Sequence, residues 1–69
     1  MTHGQFLKEV GLKVRAVRKS KKITLEAMAK LCGTNITQLS FIENGKCNWH
    51  ILTLKNIANV FNIDIKQLL

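Results

Sequence analysis

Two helical segments stand so close in this chain that only a tight reversal can join them. The first runs from about Leu25 to Leu31, the second over Ile36 to Glu43, and Gly33, Thr34 and Asn35 separate them. Thr24 is a good N-cap for the first segment, and Glu26 in its opening turn suits the helix dipole. Met28, Ala29 and either Leu31 or Cys32 supply its inner face, and Gly33 is expected to end it in the left-handed conformation. Asn35 caps the second segment, with Gln38 three residues on in the capping-box position. Asn44-Gly45 stops it. A reversal of this length containing a glycine fits a helix-turn-helix unit over about residues 24–44.

The flanks are also helical. From about Gln5 to Ser20, Leu7, Val10, Val14 and Val17 recur at three- and four-residue steps and define one face. Gly11 reads as a weakness inside that helix, costing about 1 kcal/mol against alanine. From Ile51 to Phe61 the apolar face is Ile51, Leu54, Ile57, Ala58 and Phe61, with Asn62 as a left-handed stop. A fifth short helix is expected over Ile65 to Leu69, with Asp64 as cap and Gln67 in the capping-box position. There is no proline, no internal repeat, and no period-two run of β-branched residues that would read as a strand. The expectation is one all-α domain of five helices over residues 1–69. A chain this small buries only about 60% of the surface its unfolded form exposes, so a partner or a second copy would help it.

Eleven Lys and Arg stand against four Asp and Glu, giving a net charge of +7. Lys8, Lys13, Arg15, Arg18, Lys19, Lys21 and Lys22 concentrate seven of those cations between residues 8 and 22. Such an excess points to an anionic partner, nucleic acid or an acidic surface. The run at Arg18 to Lys22 also complements the C-terminal end of its own helix. The opening residues lack a basic region followed by an apolar one, and no apolar run approaches the ~20 residues of a membrane span. Two cysteines are too few for a disulfide framework. A reduced, cytoplasmic, nucleoid-associated protein is expected.

The stretches "VRAVRK", "MAKLCGTN", "LSFIENGK" and "LKNIANVFNID" are together similar to the Cro/repressor-type (XRE) helix-turn-helix family. The likeness covers Val10 to Leu69. It implies a five-helix lambda-repressor-like DNA-binding domain whose third helix enters the major groove of double-stranded DNA. It implies an ion pair between Arg18 and Glu43. Phosphate contacts would come from Thr24, Asn44, Lys46 and Asn48, with Arg18 within reach. Base contacts would fall to Asn35, Ile36, Thr37, Gln38 and Phe41. Family members pair on pseudo-palindromic sites, and here Trp49 and Leu52 are the candidate homodimer contacts. The alternative for Trp49 is that it covers the edge of the core.

The chain departs from the family pattern on its third helix. Leu39 and Ile42 form one apolar face, yet Ile36 and Phe41 lie away from it, among Thr37 and Ser40. Polar readers are common in the family at Ile36, Phe41 and Leu25. Either these apolar side chains read thymine methyl groups, with Thr37 and Gln38 adding hydrogen bonds, or an exposed Leu25–Ile36–Phe41 patch meets a protein.

Catalytic and metal chemistry find little support. Cys47-Asn48-Trp49-His50 has a C-x-x-H spacing, but a structural zinc site needs four ligands in clear pairs. No nucleophile–base arrangement and no phosphate-cradling glycine loop is present. An enzyme, a cofactor, a small-molecule ligand and a membrane role are not expected. The expected function is a small bacterial or phage transcriptional regulator, a stand-alone repressor or restriction–modification controller protein. The alternative is a protein-interaction module such as the antitoxin of a toxin–antitoxin pair.

Overall fold

The computed structural model describes residues 3–69. Four α-helices follow one another: α1 (His3–Ser20), α2 (Leu25–Leu31), α3 (Ile36–Glu43) and α4 (Ile51–Phe61). They close around Val10 and Val14 of α1, Met28 and Ala29 of α2, Leu39 and Ile42 of α3, and Leu54, Ile57, Ala58 and Phe61 of α4. Leu68 completes this core from the C-terminal turn and is fully buried.

The expected fifth helix is a single 3-10 turn, Ile65–Gln67, so the described residues hold four α-helices rather than five. The Asp64 carboxylate accepts from Lys66 N at 2.9 Å, leaving the Gln67 position out of any capping box. The backbone bonds Gln67 N to Asp64 O and Leu68 N to Ile65 O span three residues, the tighter 3-10 pattern. α1 starts two residues earlier than its periodicity suggests.

One inner-face alternative is settled, for Cys32 over Leu31, and one assignment, Ile51, changes. Leu31 is 60% exposed and Ile51 is 50% exposed. On α2 the positions that share a face are Leu25, Met28, Ala29 and Cys32, and Leu31 falls outside that stripe. Ile51 is the first residue of α4, and the buried face begins one turn later at Leu54. Leu25 packs partly buried against the core, which removes it from the exposed patch expected with Ile36 and Phe41.

All four helices end in the same way. A residue in the left-handed region follows each: Lys22 (φ 57°), Gly33 (φ 70°), Gly45 (φ 67°) and Asn62 (φ 59°). The next N–H then reaches back five residues: Ile23 to Arg18, Thr34 to Ala29, Lys46 to Phe41 and Ile63 to Ala58, at 2.9–3.2 Å. This satisfies the carbonyls that a helix end leaves unpaired. Glycine or asparagine occupies three of the four positions, the residues that tolerate this conformation best. Lys22 is the exception.

The N-terminal caps hold α2 and α3 at their shared turn. Thr24 Oγ1 accepts from Ala27 N at 3.1 Å, and Asn35 Oδ1 accepts from Gln38 N at 2.8 Å. The reciprocal half of the α3 capping box is absent, because the Gln38 side chain turns to Cys47 Sγ at 3.8 Å. α4 has a cap that the sequence did not reveal: His50 Nδ1 accepts from Leu52 N at 3.1 Å. Histidine is outside the usual capping set, and acceptance at Nδ1 requires the neutral ring.

Gly11 is not a weakness. A Cβ there would lie 2.5 Å from the backbone oxygens of both Ile42 and Glu43. The missing side chain is what lets α1 pack directly against the C-terminal end of α3.

Candidate nucleic-acid interface

α3 presents two unlike faces. Leu39 and Ile42 are fully buried, while Ile36 and Phe41 each keep 45% of their surface exposed. Asn35, Thr37 and Gln38 are exposed on the same helix start. The five candidate base-contact residues are therefore each accessible to solvent.

The far end of α3 is pinned to α1. Arg18 Nε donates to Glu43 Oε2 at 2.7 Å and Nη2 donates to Oε1 at 3.1 Å. This is the parallel two-bond geometry that suits guanidinium and carboxylate. Arg18 Nη1 also donates to Ile23 O at 2.9 Å, just beyond the end of α1. Arg15 Nε stands 3.8 Å from Glu43 Oε1, adding a second, looser positive neighbour. The Arg18 side chain is only 10% exposed and that of Glu43 3%. Burial strengthens the attraction but also costs solvation, so the pair fixes geometry more surely than it adds net stability. It also limits Arg18 in the second role expected for it, phosphate contact.

The remaining phosphate candidates lie at the start of α2 and after α3. Thr24, Asn44, Lys46 and Asn48 are all exposed. Asn44 Nδ2 donates to Ser40 O at 2.9 Å, which makes the residue part of the α3 stop. Asn48 Oδ1 pairs with His3 Nε2 at 2.6 Å. A carboxamide oxygen only accepts, so Nε2 carries the hydrogen, and the Asn48 amide nitrogen is left as the donor to an outside group.

Trp49 and Leu52 differ from each other. Trp49 is half-buried, and its ring lies 6.1 Å from that of Phe6 at an interplanar angle of 45°. Its indole Nε1 is buried and lacks a hydrogen-bond partner among the described residues. Leu52 is 65% exposed. It borders a groove of about 570 Å³ between the α2–α3 turn and α4, together with Cys32, Thr34, Gln38 and Asn56. Asn56 Nδ2 donates to Cys32 O at 2.8 Å across this groove and ties α4 to the end of α2.

Burial pushes the thiols of Cys32 and Cys47 above the usual cysteine range. Both are free, and a protonated thiol is a poor nucleophile. Among the described residues, no three or more His, Cys, Asp or Glu side chains converge as a metal site would require. No helix among them is long and apolar enough to cross a membrane.

Comparison with known proteins shows the family and the fold. The family profile described as a helix-turn-helix domain matches residues 11–69. The ImmF control region 10 kDa protein of Bacillus phage phi105 is 38% identical over 61 residues, covering 88% of this chain and 68% of that protein. The restriction-modification controller protein C.AhdI from Aeromonas hydrophila superposes with a TM-score of 0.93 over all of both chains, at 23% identity. An HTH_3 family transcriptional regulator from Vibrio cholerae matches with a TM-score of 0.90 and 28% identity, over 97% of this chain but 38% of that longer one.

Proposed function

Because the chain belongs to the helix-turn-helix domain family of XRE-like transcriptional regulators, we propose that it binds operator DNA as a homodimer with α3 in the major groove. The single observation that carries this reading is the outer face of α3. Ile36 and Phe41 remain 45% exposed on a helix whose inner face is closed. Those side chains meet thymine methyl groups, while Asn35, Thr37 and Gln38 supply hydrogen bonds to neighbouring base edges. The helix-turn-helix unit spans about residues 24–44 within a domain that takes in the whole of residues 1–69.

Thr24, Asn44, Lys46 and Asn48 grip the phosphates on either side of the groove and set the register of α3. Arg18 serves this surface from beneath by holding Glu43. The exposed Leu52 leads the contact between subunits, with Trp49 at its edge. Half-sites then lie about 34 Å apart, one helical turn. On this reading the chain acts on nucleoid DNA. This suits a phage control protein or a restriction–modification controller.

Selection of bound fragments from random DNA tests the proposal. A pair of T-rich half-sites related by two-fold symmetry is the expected outcome. Recovery of fragments without any shared sequence would contradict it.

A further inference from the structure

The family match begins at residue 11, whereas α1 begins at His3. The first two turns of α1 thus lie outside the matched region, and they touch the loop after α3 at three points. His3 Nε2 bonds Asn48 Oδ1 at 2.6 Å. The Phe6 ring packs against that of Trp49 at 6.1 Å. Gly45 lies so near α1 that a Cβ on it would come within 2.7 Å of Lys8 Cα.

The loop needs such support. Cys47, Asn48 and Trp49 lie in neither helix nor strand. A loop free to sample many shapes must be ordered at the moment of binding, and that cost is subtracted from affinity. A loop already held in place avoids it.

We propose that His3 and Phe6 are positioning residues, which brace the Gly45–Trp49 loop against α1 so that Lys46 and Asn48 are presented to the DNA backbone in a fixed arrangement. The brace occupies the first turn and a half of α1: the imidazole at the tip, the phenyl ring about one turn in, and backbone against backbone at Lys8 and Gly45. Specificity is untouched, because base reading belongs to α3. This inference rests on the loop gripping phosphate, as proposed above.

The test compares the wild-type chain with His3→Ala and Phe6→Ala, and with the conservative variants His3→Gln and Phe6→Leu. Val60→Ala, a half-buried change outside the brace, serves as the control for general loss of stability. Affinity for a selected DNA site is measured across a salt series, alongside thermal melting. His3→Ala and Phe6→Ala should each bind about five- to tenfold more weakly, the scale of ordering one or two side chains. Their salt slopes should also be shallower by about 0.9 for each Lys46 that leaves its phosphate. His3→Gln keeps a donor for Asn48, Phe6→Leu keeps apolar cover for Trp49, and both should recover most of the affinity. The ranking of base preferences should be unchanged in all variants.

Alanine variants that bind with wild-type affinity and slope overturn the brace alone. So does an affinity loss that Val60→Ala reproduces at equal melting temperature. A wild-type chain whose binding shows no salt dependence overturns both the brace and the DNA reading beneath it.

Discussion

The backbone oxygen of Glu43 lies so close to Gly11 that a methyl group on Gly11 would sit 2.5 Å from it. Helix propensity alone favours alanine there by about 1 kcal/mol. The close approach reverses the sign. Gly11→Ala should destabilise the domain by about 1–3 kcal/mol, as overpacking does. Gly4→Ala, in the same helix but with open space around it, should gain about 0.5 kcal/mol. Urea midpoints of the two variants check this, and a stabilised Gly11→Ala would refute the packing account.

The same junction holds the buried ion pair. Glu43→Ala strands the Arg18 guanidinium, which is only 10% exposed. Removing one partner of such a pair costs about 3–5 kcal/mol. Glu9→Ala on the exposed side of α1 should change stability by no more than about 0.5 kcal/mol. Equal melting temperatures for the two variants would contradict this.

Lys22 is the helix-ending residue that pays strain for its conformation, with φ 57° and a side chain. Lys22→Gly should raise stability by about 1 kcal/mol. Lys19→Gly, inside α1, should lower it by about as much. Both changes remove one positive charge, so the opposite signs isolate the backbone term. Chemical denaturation of the pair reads it directly.

Much of this architecture is legible in the sequence because it is written in local signals. Apolar periodicity marks all four α-helices, and Thr24, Asn35, Gly33, Gly45 and Asn62 mark their ends. What escapes is whatever depends on distant residues meeting. Gly11 reads as a defect until α3 is packed against it. The His50 cap is invisible to rules built on Ser, Thr, Asp and Asn. Gln38 has the spacing for a capping box, but Cys47 draws its amide away. The last helix fails because its backbone bonds close over three residues instead of four. The candidate site is legible in part. The exposure of Ile36 and Phe41 follows from the helical wheel, whereas the support of the loop by His3 and Phe6 joins residues more than forty positions apart.

The thymine-methyl reading has a chemical test that leaves the protein unchanged. Replacing thymine by uracil in a selected site removes only the methyl group. Each such change at a contacted position should cost about 1 kcal/mol or more, at the low end of a base-pair mismatch. In Ile36→Gln or Phe41→Gln, the penalty at the corresponding position should vanish while stability stays within about 0.5 kcal/mol. Identical binding of thymine and uracil sites by the wild-type chain would remove the methyl contacts.

The central claim is that a chain of net charge +7 uses the α3 surface and its flanking loop to hold DNA. A salt titration of DNA affinity measures this most directly. Each neutralised phosphate contributes about −0.9 to the slope of log affinity against log salt. One Lys46 from each of two subunits sets the slope at about −1.8 or steeper. A flat response would contradict the account, and would mark the exposed Ile36 and Phe41 as a surface for a protein partner instead.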